Sequence, residues 1–380
     1  MMKKSFDIIV VGLGANGSSA LYHLSKLNKR VLGIDRFTPP HEFGSSHGES
    51  RIIRQAYHEN PIYVPFIKQA YDVWYEMERI SGEKLLLKTG GLMLGEENSY
   101  VVSGARLSAE THGIDYEYLD YNELLKRFPA FKPNKKTVGI LEHEAGILFP
   151  EKCIRTFLYE AQKNGACIVN NEMVLAISFA DDRVAITTAG GVYTAEKVII
   201  STGAWMSTLL PGLKLPLTVE RQVLHWFKNT SGHQQQKILA QKFPVYIWEY
   251  LPGRLFYGFP DIGSGIKIAR HHQGKLIKPD ELTQQVSGDE IEQMKYIVDT
   301  HLNMEVVYDR SAVCMYTNTP DEDFIIDYHP EFKNVILASP CSGHGFKFSS
   351  ITGKLLCDMA TDGYFGLDIS PFSLKRFTNA

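Results

Sequence analysis

The first thirty-five positions alternate between apolar runs and a glycine cluster in an order that predicts strand, loop, helix and strand. Phe6 to Val11 is a short apolar run rich in β-formers, too short for a helix. Gly12-Leu13-Gly14-Ala15-Asn16-Gly17 follows, and then a helix-compatible stretch with Ala20, Leu21, Leu24 and Leu27 on one side. Arg30 to Ile34 reads as a second strand ending at Asp35. Further on, Asn60-Pro61 marks an N-cap with proline at the first helical position, and Gly82 closes the pattern. Between them Tyr63, Phe66, Ile67, Ala70, Trp74 and Met77 recur at three and four, which predicts a core-facing helix.

Residues 84–95 change period around Gly90-Gly91 and read as a strand pair or bend, followed by a helix to Gly113, a strand near 115–119 and a short helix to Phe128. Pro150 to Asn164 is helical, and Cys167–Asn170 and Met173–Ser178 read as strands. A hairpin is expected from Val184–Thr188 and Val192–Ala195, with Lys197–Ser201 as a separate buried strand. From 217 to 314 strands dominate, among them Val219–Phe227, Val245–Tyr250, Leu255–Phe259 and Ile266–Arg270, with one helix over Asp289–His301. Phe324–Asp327 and Val335–Ser339 are further strands, and a glycine-containing loop at 342–345 leads into a helix to Asp362. This order implies two interleaved domains, one built on the opening strand and glycine loop and a sheet-rich one covering it.

The glycine loop carries the first chemistry. Gly12 allows the tight turn, Gly14 lets backbone approach a pyrophosphate, and Gly17 lets helix pack on strand. The helix N-terminus adds free N–H groups and partial positive charge for the phosphates. Asp35, eighteen residues after Gly17, stands where a carboxylate accepts hydrogen bonds from a ribose. The loop alone does not separate FAD from NAD(P). Arg51-Ile-Ile-Arg54 would set both arginines on one face if the turn is helical, although solvated surface arginines are the commoner arrangement.

Composition removes several classes. Forty Lys and Arg against 43 Asp and Glu leave a net charge of −3, which gives no electrostatic case for nucleic acid or an anionic membrane. The apolar run after Lys3-Lys4 is broken by Asp7 and the glycines, so a signal peptide is not expected, and no stretch is long enough to predict a membrane span. Five cysteines without C-x-x-C spacing imply reduced thiols in a cytoplasm, with no metal site.

Taken together, the glycine loop, Gly44-Ser-Ser-His-Gly-Glu-Ser-Arg-Ile-Ile-Arg54, Tyr257-Gly-Phe-Pro260, Ala312-Val-Cys-Met-Tyr-Thr317, Pro320-Asp-Glu-Asp-Phe-Ile-Ile-Asp327 and Ser342-Gly-His-Gly-Phe-Lys-Phe348 resemble the monomeric sarcosine oxidase family, which includes N-methyltryptophan oxidase. The motifs run in one order over nearly the whole chain. The resemblance implies an α/β fold, with a Rossmann-like FAD-binding domain (1–86, 141–216 and 315–380) interleaved with a sheet-rich α+β substrate domain (87–140 and 217–314). It implies a monomer that oxidises N-methyl or cyclic secondary amino acids, with FAD bound covalently through the 8α-methyl to Cys314.

Site residues follow from the same resemblance. Arg54 and Lys347 match carboxylate-binding positions, and a buried carboxylate must be paired. Lys267 matches the oxygen-activating lysine, where a cation favours reduction of O₂ to an anion. Arg51 matches an arginine beside the flavin ring, and Tyr257, His271, Tyr316 and His344 match cavity-lining positions. Gly12, Gly14, Gly17, Asp35, Arg36, Ser45, His47, Val174, Gly343, Gly345 and Lys347 are the expected flavin contacts. The implied reaction passes a hydride from the carbon next to nitrogen to the flavin. The imine then hydrolyses, and O₂ near Lys267 restores the flavin and leaves as H₂O₂. The chain departs from its relatives at Ser46-His47, Ile247-Trp248 and Ser339-Pro-Cys-Ser342, which leaves the particular amino acid open. Two other classes stay open on the residues alone: an NAD(P)-dependent dehydrogenase, and a flavin-binding protein without turnover.

Overall fold

A computed structural model describes residues 4–230, 239, 242–363 and 366–377. Its strands form two eight-stranded sheets and one small three-stranded sheet. The first sheet is built on the opening strand Lys4–Val11, which pairs in parallel with Val31–Ile34 on one side and Gly191–Ile200 on the other. Cys167–Val169 extends it beyond Val31–Ile34, and Val335–Ser339 runs parallel to the end of Gly191–Ile200. Parallel strands buried on both faces read as continuous apolar runs, and Ile8 to Val11 are all nearly inaccessible.

The glycine-loop helix Ala15–Ser25 packs between Pro150–Lys163 and Ser349–Ala360. It is therefore buried almost all round, including Ser18 and Ser19, and not along one stripe only. The approach is close enough that a Cβ on Gly353 would lie 2.1 Å from Ser19 Oγ. Leu27, expected on the inner face, lies beyond the helix end and is exposed. The helix Val64–Ser81 keeps its predicted end, while the expected first turn, Pro61–Tyr63, is 3₁₀. Asn60 Oδ1 accepts from Ile62 N at 3.0 Å to start the preceding 3₁₀ turn, and Gly82 ends the helix at φ +70°.

The second sheet runs Val306–Asn318, Thr218–Asn229, Ile266–His271, Arg254–Phe259, Val245–Leu251, Gly91–Glu96, Thr137–Glu142 and Glu117–Leu119. All its pairings are antiparallel except Val245–Leu251 with Gly91–Glu96. The sequence pattern did not mark Val306–Asn318, whose Asp309, Arg310 and Ser311 break the apolar alternation; twelve paired positions along Thr218–Asn229 hold it in the sheet.

Two expectations about local structure are corrected. Arg51–Ile53 is a strand paired with Gly146–Leu148, because β-branched Ile52 and Ile53 favour the pleated form over a helical turn. Val192–Ala195 and Lys197–Ser201 are one strand, Gly191–Ile200. No breaker separates them, and parallel partners on both sides hold the continuation straight.

Candidate active site

Two adjoining cavities lie at the carboxyl ends of the first sheet's parallel strands, and Ala15, Asn16, Ser45, Ser46 and Cys341 line both. This is where open parallel sheets bind ligands. The outer cavity, about 650 Å³, is lined by the glycine loop with Asp35, Arg36, Val174 and the turn Ser201–Trp205. The inner one, about 120 Å³, is walled by Arg51, Arg54, Tyr257, His271, Cys314, Tyr316, Gly343, His344, Gly345 and Lys347.

The outer cavity fits a dinucleotide. A Cβ built on Gly14 meets only Ser46 Oγ, at 3.8 Å, so the missing side chain leaves open room at the loop. Asn16 Oδ1 and Thr202 Oγ1 line the cavity and are buried without a partner, which suits a ligand that supplies donors. Gly17 shapes the loop from behind, since a Cβ there would sit 1.8 Å from Gly12 O. Asp35 Oδ2 accepts from Leu13 N at 2.7 Å and Oδ1 from Phe37 N at 2.8 Å, so the carboxylate ties the loop to the end of the second strand. Each oxygen keeps a lone pair for a ribose hydroxyl. Arg36 pairs with Asp280 at 2.7 Å, and Asp280 also accepts from Trp205 Nε1 at 2.9 Å, which closes the far rim.

The inner cavity gathers cations. Arg54 is 2 % exposed and pairs with Glu59, while its Nε has no partner. Lys347 donates to His344 O at 2.7 Å, and burial followed by the Arg54 charge pulls its ammonium down to about 7. His344 Nε2 faces the Glu322 carbonyl at 3.0 Å, which can only accept, so the ring proton sits there and Nδ1 accepts from the Tyr57 hydroxyl. Burial holds this histidine at about 4, so it is neutral. Tyr316 OH lies 3.4 Å from His271 Nδ1 and 3.5 Å from Tyr257 OH, and burial pushes the Tyr257 phenol up to about 12.

Cys314 stands opposite Gln222 in the strand pair Val306–Asn318 and Thr218–Asn229. Burial raises its thiol pKa, and the charges of Arg51 and Lys267 pull the other way. Lys267 lines neither cavity. Its Nζ lies behind the wall, donating to Gly48 O at 2.8 Å and Ser50 O at 2.6 Å, 4.1 Å from the Phe259 ring centroid. His47 is likewise buried outside both cavities, and burial brings it down to about 3.

Sequence reasoning missed His58 and Glu59, which line the inner cavity beside Arg54. Their only signal was a His-Glu pair just before the Asn60-Pro61 cap, which reads as an ordinary polar loop. It also missed Glu142, fully buried, whose carboxylate accepts from Gln55 N and Ala56 N and so fixes the chain after Arg54.

A family model described as FAD dependent oxidoreductase matches residues 7–359. The chain belongs to that family. This flavoprotein is 39 % identical to a monomeric sarcosine oxidase of Arthrobacter sp. over 99 % of its own length and 97 % of the relative's. It is 35 % identical to the N-methyl-L-tryptophan oxidase of Escherichia coli K12, covering 98 % and 99 % of the two chains. In fold it is similar to NikD, described as an unusual amino acid oxidase essential for nikkomycin biosynthesis, with a TM-score of 0.85, 21 % identity and 98 % coverage of both chains. The resemblance drawn from the motifs therefore stands, and with it the mixed α/β flavoenzyme fold. Among the described residues no helix is long and apolar enough to cross a membrane, and no cluster of His, Cys, Asp and Glu is placed to hold a metal.

Proposed function

We propose that this protein is an oxidase of N-methyl or cyclic secondary α-amino acids, with FAD held covalently at Cys314 and O₂ as the acceptor, released as H₂O₂. The carrying observation is the inner cavity itself: Arg54 and Lys347 converge in one small chamber whose wall includes Cys314 and which adjoins the nucleotide cavity. An amino-acid carboxylate leaving water needs such a pair. Arg54 receives it by exchanging its Glu59 contact, and Lys347 adds a point charge. Tyr257, His271 and Tyr316 line the same chamber as one polar group and orient the amine, whose nitrogen must lose its proton before the adjacent C–H bond is broken. When bound, FAD supplies the electron acceptor for that carbon. With FAD bound, Arg51 would offer positive charge to the ring, and Lys267 would offer it to O₂ from behind the cavity wall.

The segments 1–86, 141–216 and 315–380 would then form the flavin domain, which also lends Arg54 and Lys347 to the substrate, and 87–140 and 217–314 the substrate domain, which lends Cys314 to the flavin, in a cytoplasmic monomer. A nicotinamide enzyme would leave Cys314 without a task, and a flavin carrier without turnover would leave Arg54 and Lys347 without one.

The test is an absorbance spectrum before and after acid precipitation, followed by peroxide release with sarcosine, N-methyltryptophan and pipecolate. Yellow colour that stays with the precipitated chain and is absent from Cys314→Ala is expected. Colour that washes out of the wild type would sink the covalent assignment. Absence of peroxide with every amino acid carrying an N-substituent would overturn the oxidase reading.

A further inference from the structure

The turn Gly48-Glu49-Ser50 separates Arg51 from the buried Lys267, and its backbone is unusual. Gly48 (φ +92°) and Glu49 (φ +70°) are consecutive left-handed residues, a conformation glycine accepts freely and a glutamate rarely. The surroundings hold it in place. Glu151 Oε1 accepts from both turn amides, Gly48 N at 2.7 Å and Glu49 N at 3.0 Å. The Glu49 carboxylate accepts from Ser264 Oγ at 2.6 Å and Trp226 Nε1 at 3.1 Å and pairs with Arg310, whose guanidinium lies 4.1 Å from the Trp226 ring centroid. Those partners come from three separate strands or turns of the second sheet, so Glu49 pins the turn to that sheet.

The pinned turn aims its carbonyls. Gly48 O and Ser50 O both accept from Lys267 Nζ, at 2.8 and 2.6 Å. Ser50 O also accepts from Arg51 Nη1 at 2.8 Å, while Ser45 O accepts from Arg51 Nη2 at 2.7 Å. One turn thus fixes both cations assigned above to flavin and oxygen chemistry. Glu49, Glu151, Trp226, Ser264 and Arg310 line neither cavity, so they act only through it.

We propose that Glu49, clamped by Arg310, Trp226 and Ser264, is a positioning residue for the oxygen half of the reaction. It sets the turn that holds the Lys267 ammonium and Arg51, and its charge helps keep that ammonium protonated. This rests on the oxygen-site reading of Lys267. Of the groups facing the ammonium, His47, brought down to about 3 by burial, is neutral, and Cys314, in the thioether linkage proposed above, carries no charge; Arg51 disfavours the ammonium's charge, and Glu49 and Glu151 favour it. Burial outweighs them and lowers the lysine pKa well below its ordinary value, so loss of the Glu49 charge moves its deprotonation to still lower pH.

The experiment compares holoenzymes of wild type, Glu49→Gly, Arg310→Ala and Lys267→Met. Glycine tolerates the left-handed turn, so Glu49→Gly removes the clamp without straining the backbone. Each is reduced with stoichiometric dithionite and mixed with O₂, and reduction by sarcosine is measured separately. Reoxidation is expected to slow about tenfold or more in the Glu49 and Arg310 variants, from displacement of the cation. Reduction by sarcosine stays within about threefold, because Arg51 keeps its second anchor on Ser45 O, outside the turn. The alkaline limb of reoxidation moves to lower pH in Glu49→Gly, and hydrogen exchange over residues 45–51 quickens, a readout that needs no turnover. If Lys267→Met reoxidises like wild type, the oxygen-site reading fails. If Lys267→Met is slow but Glu49→Gly and Arg310→Ala are not, or if both half-reactions fall equally, the positioning role is wrong.

Discussion

The two cavities share a wall yet hold charge in different ways. The outer one offers backbone N–H groups, a helix N-terminus and room left by a missing side chain, all within a few residues of Gly14. The inner one offers side-chain charges, Arg54 and Lys347 buried and Arg51 and Glu59 partly so, drawn from stretches nearly 300 residues apart. A phosphate site built from backbone geometry can be written in one short motif. A carboxylate site built from long side chains has to be assembled by the fold, because the two cations that would share one carboxylate, Arg54 and Lys347, come from separate stretches of the chain.

This contrast can be broken most severely at Gly17. A Cβ there meets Gly12 O at 1.8 Å, so Gly17→Ala cannot keep the loop closed on the helix. Destabilisation of about 3 kcal/mol or more and loss of bound flavin are expected, read by thermal melting and visible absorbance. Retained colour and melting point would show that the loop is not set by backbone contact.

Arg54→Ala attacks the other side of the comparison. The variant should fold and stay yellow, since Arg54 lines only the inner cavity. Its kcat/KM for sarcosine should fall by about a hundredfold, because truncating one member of a buried charge pair costs about 2–5 kcal/mol and here also leaves Glu59 unpaired. Anaerobic flavin reduction measures this directly, and reduction at the wild-type rate would remove Arg54 from the substrate site.

Lys347 gives the smallest and sharpest effect. Its pKa of about 7 means the ammonium is present below that pH and is lost as pH rises through it. Affinity for a simple carboxylate such as acetate, read by flavin difference spectra, should therefore weaken about fivefold between pH 6 and 8, the size of a modest ion pair. In Lys347→Met the profile should be flat over that range. A wild-type profile already flat would mean that Arg54 alone holds the carboxylate.

Much of the fold was legible because it is local. The helix Val64–Ser81 announced itself by period, by Asn60 at its entry and by Gly82 at φ +70° past its end. Arg51–Ile53 was harder, since three residues are too few for a period to show and its strand form depends on Gly146–Leu148. Val306–Asn318 carries too many polar residues to read as a strand without its partner. At the site, motif resemblance pointed to the cations and to Cys314. It could not show that Arg54 spends its free state on Glu59, or that Lys267 lies behind the cavity wall on two carbonyls.

By itself, then, the chain's sequence determined a nucleotide loop with its strand, helix and terminal acid, the capped helices, and the residue types required to bind an amino-acid carboxylate. Those depend on backbone torsions and on side chains a few positions apart. Only the tertiary structure decided which cations face the chamber and which lie behind its wall, and that Glu49 in a left-handed turn ties two of them to a distant sheet. Burial and long-range pairing settle such choices, because a charge removed from water goes where partners are already fixed.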